Sequence, residues 1–379
     1  LRTGSEIMKP ILRFTNFDND WEKIELLKIA SEISYGMNAA SKEYDGENKY
    51  IRITDIDEQT NKYIHKNIVS PDGNLEKKFL VKENDILFAR TGASTGKTYL
   101  YDKNDGKLYY AGFLIKANII NHNANFIFQQ TKLNKYNNWV KIMSMRSGQP
   151  GINSQEYGSY KFSITSPEEE NKVSNFLSLL DKKIELQSKK IEGLKLFTKN
   201  TISNELNNLQ NYNISKFKDI CNIQTGKSNT QDKCDDGIYP FYIRSENIER
   251  SNNYIFDCEA VLTIGDGNIG KVFFYENGKF DCHQRVYVLN NFKNVLGKYV
   301  YYYFSSFFYK RAMSMSAKNT VDSVRMEMIS DMIIKVPQEK EQIKMINLFS
   351  SLDKKLELEQ NKLDKLQELK KGLMQNMFV

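Results

Sequence analysis

The stretch LDKKIEL at residues 180–186 returns almost unchanged as LDKKLEL at residues 352–358, with six of seven positions identical. The match extends at a constant offset of 172 residues, so that residues 168–200 correspond to residues 340–372. A repeat of this length indicates a tandem duplication, which defines the organisation of the chain before any local pattern is considered.

Both copies of the repeat predict one long, uninterrupted helix. Each copy follows a proline, Pro167 or Pro337, and contains no other proline, which is typical of a helix start and an unbroken helix after it. Apolar side chains then recur at alternating steps of three and four residues, which predicts a coiled-coil seam. The seam residues are Leu177, Leu180, Ile184, Ile191 and Leu194 in the first copy and Phe349, Leu352, Leu356, Leu363 and Leu366 in the second.

One step of the predicted seam is polar in both copies. Gln187 and Glu359 occupy the same position of the repeat. Two interpretations are open at this point. The two side chains either form a polar layer that fixes the register of the helices, or they point outward into solvent.

The segments before the helices predict two compact α+β domains. Both are rich in short aromatic and β-branched runs that are broken by Gly, Asn and Asp, the pattern of several short strands. We therefore expect four parts, at residues 9–166, 167–211, 212–336 and 337–379. Distant similarity between the heads, such as KYIRITDI at 49–56 and PFYIRSENI at 240–248, supports a duplication with approximate two-fold symmetry.

Composition fits a folded protein that stays in the cytoplasm. Hydrophobic residues make up 40% of the 379 residues and charged residues 27%. The net charge of +7 suits a polyanionic partner but also occurs in proteins that bind none. Four widely spaced cysteines without a CxxC pair predict reduced thiols. No apolar run approaches the roughly 18 residues that a membrane span needs.

Two glycine-rich segments imitate nucleotide-binding motifs. Residues 265–270 match GxGxxG, and residues 92–98 resemble a P-loop with one residue too few between its glycines. Both precede aromatic, extended runs rather than helices, which favours hairpin turns over phosphate-binding loops. Because Gly96-Lys97 and Gly270-Lys271 occupy matching positions, we expect the same turn in both heads. Lys97 and Lys271 are candidates for contacts with DNA phosphates.

No catalytic residue and no metal site is predicted. His65, His122 and His283 form no paired-ligand spacing, and a zinc site needs three or four ligands. The Asn-Pro-Pro-Tyr or Asp-Pro-Pro-Tyr motif of amino-methylating enzymes is missing, because the chain has no Pro-Pro pair.

Basic and amide side chains in or near turns of both heads are candidates for DNA binding. Arginine can pair with guanine and glutamine with adenine, while lysine mainly neutralises phosphate. An isolated arginine is also a common partner in a surface ion pair. Besides Lys97 and Lys271, the candidates are Arg52, Arg90, Arg146 and Gln149 in the first head and Arg244, Arg285, Lys318 and Arg325 in the second.

The chain resembles the specificity subunits of Type I restriction-modification systems over essentially its whole length from Met8. The resemblance rests on the two LDKKIEL-type helices, on DILFARTGASTGK at 85–97, on YPFYIRSENI at 239–248 and on the ending KKGLMQNMF at 370–378. It implies two target-recognition domains that each bind half of a split target in double-stranded DNA, with the two helices packed antiparallel as a spacer.

The resemblance also implies the partners and the division of chemistry. Two methyltransferase subunits would bind the spacer and carry S-adenosylmethionine, and restriction subunits with motor activity would cut unmodified DNA. ATP and Mg²⁺ would likewise be bound by partner subunits, and this chain would hold no cofactor. Because the heads differ in sequence, we expect an asymmetric target.

Helix length agrees with a role in spacing the two readers. The 33 residues of one matched helix span about 50 Å at roughly 1.5 Å per residue, which equals about 15 base pairs at roughly 3.4 Å each. Two other classes of function stay open. They are a coiled-coil scaffold that binds proteins through its heads, and an enzyme that uses one of the glycine loops.

Overall fold

The structure, a computed structural model, describes residues 9–145, 151–315 and 323–379. Contacts between residues divide the chain into two compact units. The first unit consists of residues 1–186 and 363–379, and the second consists of residues 187–362. Arg146, Gln149 and Lys318, three of the candidate DNA-binding residues, lie outside the described residues.

The first unit begins with ten short strands and four short helices among its described residues. The strands are β1 Glu22–Glu25, β2 Ala30–Tyr35, β3 Ala40–Glu43, β4 Lys49–Ile51, β5 Val69–Asp72, β6 Asp85–Ala89, β7 Thr98–Leu100, β8 Leu108–Tyr110, β9 Leu114–Ile119 and β10 Lys161–Ile164. The helices are α1 Leu26–Ile29, α2 Ala124–Gln130, α3 Asn134–Ser144 and α4 Ser154–Ser159. The long helix α5, Pro167–Asn207, follows them and continues into the second unit.

The second unit has a similar set of elements. Its strands are β11 Tyr212–Lys216, β12 Asn222–Thr225, β13 Tyr239–Tyr242, β14 Ile248–Ser251, β15 Phe256–Ile264, β16 Phe273–Cys282, β17 Val286–Asn290 and β18 Ile333–Pro337. Its helices are α6 Phe217–Ile220, α7 Gly297–Ser314 and α8 Met326–Ser330. The long helix α9, Glu339–Met377, closes the chain and returns to the first unit.

Strand order is the same in the two units. The central sheet runs β2-β9-β6-β7 in the first unit and β12-β17-β15-β16 in the second, where β13 and β14 extend it. Among the described strands, each unit has one parallel pair, β4 with β8 or β13 with β16. In each unit the first and last strands form an antiparallel pair. This repetition confirms the tandem α+β architecture that the sequence predicts.

The central strands are buried because both of their faces are covered. Every residue of β6 and of β9 is buried, and so are the last five residues of β15. Strands that are buried along their whole length are typical of a sheet with both faces covered, and the polar residues Asp85 and Asn118 within them are bonded to each other at 2.8 Å. These strands therefore form a rigid base for the turns that connect them.

The core of the first unit includes the end of the chain. Met374, Met377 and Phe378 of the C-terminal segment pack among the buried residues of this unit. The Phe378 ring lies 6.1 Å from Trp21 and 5.2 Å from Phe126, measured between ring centroids. The second repeat helix thus completes the core of the first unit.

The core of the second unit is built around α7. Tyr299, Phe304 and Phe308 are fully buried, and Phe304 lies 5.1 Å from Phe217 between ring centroids. Phe349 of α9 belongs to the same core and is also fully buried. Large aromatic side chains of this kind dominate the hydrophobic stabilisation of a core.

The two long helices pair antiparallel within each unit. In the first unit, Asp181 forms an ion pair with Lys370, while Leu177 shares the core with Met374. In the second unit, Gln187 bonds to Glu359. Residue numbers therefore rise along α5 as they fall along α9. Of the seam residues, Leu177, Leu180, Ile191, Phe349 and Leu363 are buried, and Ile184, Leu194, Leu352, Leu356 and Leu366 are half-buried.

Among the described residues, no helix combines the length and the apolar character that crossing a membrane requires.

Candidate nucleic-acid interface

A tight turn recurs at the same place in both units. It covers residues 111–114 in the first unit and 283–286 in the second. In each, the last N–H donates to the first carbonyl, at 2.9 Å and 2.8 Å. In the first unit the turn joins β8, which pairs in parallel with β4, to β9 of the central sheet. In the second unit it joins β16, which pairs in parallel with β13, to β17. The turns are therefore equivalent, and Phe113 of the first corresponds to Arg285 of the second.

In the first unit, two neighbouring segments are bonded to this turn. The Arg90 N–H donates to the Phe113 carbonyl at 3.0 Å, and the Ile152 N–H donates to the Arg90 carbonyl at 2.8 Å. Thr91 also forms a bridge to Gly151. We call residues 90–91, 111–114 and 151–152 the first turn edge.

The second unit repeats these bonds. The Gly265 N–H donates to the Arg285 carbonyl at 2.7 Å, and the Val324 N–H donates to the Gly265 carbonyl at 2.7 Å. Asp266 forms a bridge to Ser323. We call residues 265–266, 283–286 and 323–325 the second turn edge. The two edges thus share the same main-chain hydrogen bonds but can present different side chains.

The second turn edge carries exposed arginines. Arg285 and Arg325 are exposed, and no side-chain partner is found for either among the described residues. Arg244 lies nearby, 49% exposed, with Nη1 3.3 Å from Asp266 Oδ2. Guanidinium groups without a protein partner are suited to phosphate oxygens and to guanine. This edge therefore presents two exposed guanidinium groups, those of Arg285 and Arg325.

Gln284, which the sequence reasoning missed, is also exposed on the second turn edge. Its Nε2 donates to Asn229 Oδ1 at 2.8 Å. This bond orients the amide and leaves its oxygen and one N–H for another partner.

His283 has a structural role in this edge. It is 5% exposed, and its Nδ1 accepts the Arg285 N–H at 3.0 Å. Burial, followed by the positive charge of Arg244, lowers the pKa of His283 below its ordinary value of 6.5. The lowered pKa favours the neutral ring, in which Nδ1 can accept a hydrogen bond. The bond from the Arg285 N–H to Nδ1 holds the main chain of Arg285 in place.

The first turn edge presents an aromatic side chain instead. Phe113 is 63% exposed. Arg90 lies over the ring of Tyr35 at 4.8 Å from its centroid, and its buried Nε has no hydrogen-bond acceptor among the described residues. The Tyr35 hydroxyl accepts the Ser154 N–H at 3.0 Å. This edge therefore combines apolar surface with one stacked cation.

The two glycine loops are hairpin turns, as the sequence predicts. Residues 90–97 connect the antiparallel strands β6 and β7, and residues 265–272 connect β15 and β16. Gly96 and Gly270 both have positive φ, +89° and +66°. A Cβ on either would meet a helix, at Val140 of α3 or Tyr309 of α7. The loops are therefore equivalent, and neither leads into a helix that could bind a phosphate.

The two loop lysines differ in their environments. The Lys97 ammonium donates to the Ile56 carbonyl at 3.2 Å and to Glu58 Oε1 at 3.3 Å, and the side chain is 12% exposed. Lys271 is exposed and lies 5.5 Å from the Tyr309 ring centroid. Lys271 is thus the more accessible of the two for a DNA phosphate.

Arg52 and Arg244 follow equivalent strands but are not equivalent residues. The Ala111 N–H bonds to the Ile51 carbonyl as the His283 N–H bonds to the Tyr242 carbonyl. The strand registers therefore match Ile51 with Tyr242. Aligning the two YIR sequences would instead match Ile51 with Ile243, so the sequence alignment is shifted by one residue. Arg52 forms a two-bond pair with Asp55, at 2.8 Å for each bond, and a slip of one residue changes the face on which a side chain lies.

No metal centre is found within the described residues, where no group of three or more His, Cys, Asp and Glu could hold an ion. The four cysteines are free thiols. Burial raises the pKa of Cys221 to about 12, so this thiol stays protonated and unreactive at neutral pH.

Comparison with known proteins gives one family. Residues 19–196 and 210–368 both match the family model described as Type I restriction modification DNA specificity domain. The EcoDI specificity subunit of Escherichia coli is 24% identical over 157 residues, 41% of this chain and 34% of that protein. The MjaVIII specificity subunit of Methanocaldococcus jannaschii is 24% identical over 179 residues, 43% of this chain and 41% of that protein. The matches thus span less than half the length of these relatives.

Solved structures share the fold over nearly the whole chain. The S subunit of a Type I restriction-modification system from M. genitalium aligns with a TM-score of 0.64 and 16% identity, over 98% of this chain and 99% of that one. A chain from a structure of type I R-M complex assembly and conformational transition aligns with a TM-score of 0.58 and 13% identity, over 94% and 97%.

The relatives are named as specificity subunits, in agreement with the prediction of a non-catalytic subunit. Because the family model matches most of its length in two copies, the chain belongs to the Type I restriction modification DNA specificity domain family.

Proposed function

We propose that this chain reads DNA sequence for a Type I restriction-modification complex, with each turn edge contacting one half of a bipartite target in double-stranded DNA. The observation that carries the proposal is the recurrence of the same hydrogen-bonded edge in both units with different exposed side chains. A rigid frame with variable side chains suits base reading, because phosphate contacts position a protein while side chains at base edges specify sequence.

The proposed target is asymmetric. At equivalent positions the two edges carry Gly112 and Gln284, then Phe113 and Arg285. Glycine and phenylalanine offer no hydrogen-bonding side chain, whereas glutamine and arginine offer several donors. Two halves that are read by such different groups are not expected to contain the same bases.

Exposed apolar residues on the long helices support docking of two copies of one partner. Three pairs occupy the same step of the repeat, and the members of each pair are similarly exposed. The pairs are Phe176 and Leu348 at 38% and 40%, Leu186 and Leu358 at 57% and 60%, and Phe197 and Leu369 at 57% and 52%. Large exposed apolar side chains that recur along a helix are typical of an interaction surface. The proposed partner is the methyltransferase subunit, with one copy at each repeat.

The chemistry is assigned to the partner subunits. The methyltransferase subunits would bind S-adenosylmethionine and modify one adenine in each half of the target. Restriction subunits would use ATP and Mg²⁺ and cut unmodified DNA. This chain would supply the choice of site and the scaffold, in the cytoplasm, where reduced thiols such as those of Cys221 and Cys282 are stable.

The long helices are proposed to set the unread gap in the target. Inserting one heptad into both α5 and α9 adds about 10 Å at roughly 1.5 Å per residue, or about three base pairs. The lengthened protein should read the same bases across a longer gap. An unchanged gap would contradict this part of the proposal.

DNA binding separates this function from that of a protein scaffold. The chain in complex with its methyltransferase subunit is selected against random duplexes and then titrated at rising salt. We expect a split, asymmetric sequence and an affinity that falls steeply with salt, since phosphate contacts release counterions. Enrichment of no sequence, with binding that is weak and independent of salt, would favour the scaffold.

A further inference from the structure

Phe113 and Arg285 occupy one structural position in the two units, and each is exposed there. Their main chains are fixed by the same bonds. Each residue is the third residue of the tight turn, and its carbonyl accepts an N–H from the neighbouring segment, at 3.0 Å from Arg90 or 2.7 Å from Gly265. Only the side chain differs between the units. At this position the side chain can therefore change while the main-chain conformation stays the same.

We propose that this position selects one base in each half of the target. Phe113 would contact the 5-methyl group of a thymine, and Arg285 would donate to O6 and N7 of a guanine. The inference rests on the proposed function and deepens it, because it names the chemical group that each unit reads.

The environment of Arg285 fits a guanine reader. Among the described residues, Arg52 is bonded to Asp55, Arg250 to the carbonyls of Gly237 and Ile238, and Arg244 approaches Asp266. Arg285 has no such partner there, so its donors are available. A planar guanidinium matches O6 and N7 of guanine in the major groove with two parallel hydrogen bonds.

The environment of Phe113 fits a methyl group rather than a polar base edge. Its ring is 63% exposed, and it precedes β9, whose residues are all buried. The neighbouring Gly112 has no side chain, and a Cβ there would lie 3.3 Å from the Met37 carbonyl oxygen. Gly112 therefore places no side chain beside Phe113 in the turn. Thymine is distinguished in the major groove by its methyl group, which apolar side chains contact.

Base analogues that remove single groups test the inference directly. The chain in complex with its methyltransferase subunit is titrated with duplexes that carry its selected sequence. In one half, each thymine is replaced in turn by deoxyuridine, which lacks only the methyl group. In the other half, each guanine is replaced by 7-deazaguanine, which lacks only the N7 acceptor.

For the wild-type protein we expect one thymine position where loss of the methyl group weakens binding about three- to fivefold, the size of one buried methyl. We expect one guanine position where loss of N7 weakens binding about tenfold. In Phe113→Ala the deoxyuridine effect should vanish, and in Arg285→Ala the 7-deazaguanine effect should vanish. Phe113→Leu should keep most of the methyl effect. Arg285→Lys should bind the guanine duplex more weakly and show a smaller N7 effect, because a single ammonium cannot donate two parallel hydrogen bonds as a guanidinium does.

Ile120 supplies a matched control. Phe113 directly precedes β9, whereas Ile120 directly follows it and is 40% exposed. Ile120→Ala therefore removes an exposed apolar side chain that is not part of the first turn edge. This variant should retain the deoxyuridine effect. If the wild-type effects persist in Phe113→Ala and Arg285→Ala, the inference is overturned. An equal loss for every base in Phe113→Ala would overturn it too, since the ring would then act as a wedge without base choice.

Failure of the proposed function would look different from failure of this inference. A wild-type complex that prefers no sequence would overturn the proposed function, and with it the inference. A wild-type complex that prefers one sequence but is indifferent to both analogues at every position overturns only the inference.

Discussion

Gln187 of α5 donates from Nε2 to Glu359 of α9, at 2.7 Å to Oε2 and at 2.8 Å to the main-chain oxygen. Gln187 is 6% exposed, and the Lys190 ammonium lies 2.5 Å from Glu359 Oε1. The polar step of the repeat therefore lies within the seam, with Gln187 buried and Glu359 half-buried, rather than forming a pair of outward side chains. A polar layer of this kind specifies which residues of two helices face each other.

The polar layer is expected to stabilise the helix pair modestly and to fix its register. Replacing Gln187 by Leu removes both hydrogen bonds to Glu359, so the free energy of unfolding should fall by about 1 kcal/mol. Urea denaturation of the full chain measures the change. The matched control is Gln375→Leu, the same change at an exposed position of α9. Equal stability of both variants would contradict a role for the layer.

Acid is expected to weaken the first unit through Glu169. This carboxylate is 1% exposed and accepts bonds from Arg13 Nε at 2.7 Å, Thr165 Oγ1 at 2.5 Å and Trp21 Nε1 at 3.1 Å. Burial raises its pKa, but the bonds from Arg13, Thr165 and Trp21 outweigh burial, so the pKa is lowered below 4.5. A lowered pKa stabilises the fold above the unfolded value of about 4.3, and this contribution is lost as pH falls through the folded value.

Thermal denaturation at pH 7 and at lower pH, with Glu169→Gln for comparison, tests this dependence. The wild-type protein should lose more stability between the two conditions than the variant does. A variant with the same pH dependence would show that other groups account for it.

Removal of Arg13 is expected to be more severe than removal of a surface lysine. Arg13→Ala leaves the buried Glu169 carboxylate without its cation, which costs about 3 to 5 kcal/mol. Lys9→Ala breaks the pair with Asp20, at 3.7 Å and about half-exposed on both sides, and should cost less than about 1 kcal/mol. Urea denaturation measures the free energy of unfolding of both variants. Similar decreases would mean that the Arg13–Glu169 pair stabilises the fold no more than the exposed Lys9–Asp20 pair.

Sequence reasoning predicted most of the fold, because the repeat carries a strong signal. The spacing of the ten predicted seam residues indicates the inner side of the helices, since five of them are buried and the other five are half-buried. The glycine loops were also assigned correctly as hairpin turns, since the residues after Gly96 and Gly270 have the composition of strands. The α+β heads followed from short apolar runs between turn residues.

The candidate interface was harder to predict. Phe113, Gln284 and His283 were missed as parts of it, because an isolated Phe or Gln carries no local signal of exposure. Their roles depend on hydrogen bonds between distant segments, such as the one from Arg90 to Phe113. Comparing the two heads could have found the position, since LYYAGFLIKANI at 108–119 and FDCHQRVYVLNN at 280–291 share a strand, a turn and a strand.

The glycine loops offer a paired test of packing. Gly96→Ala places a Cβ 2.5 Å from a Val140 methyl group, in a backbone of φ +89°. Gly92 has φ +74°, but a Cβ there meets nothing within 4 Å. Both variants adopt a left-handed backbone that costs roughly 1 kcal/mol, and only Gly96→Ala adds a clash. A lower melting temperature is expected for Gly96→Ala than for Gly92→Ala, and the reverse order would contradict the packing.

The exposed leucines of the long helices are expected to matter for assembly and not for folding. Leu186→Ser together with Leu358→Ser should leave the melting temperature of the chain nearly unchanged, because both side chains are more than half exposed. Affinity for the methyltransferase subunit should fall at least about tenfold if these residues anchor the interface. Leu27→Ser, at a position 63% exposed on α1, is the control. Unchanged assembly by the double variant would contradict the proposed surface.

The most direct test of the central claim is a map of methylated adenines in the genome of a host without methylation of its own, which expresses this chain together with its methyltransferase subunit. The account predicts one split, asymmetric motif that disappears when the chain is omitted. No motif despite a stable complex, or a motif that is also formed without this chain, would contradict the claim that the chain reads the sequence.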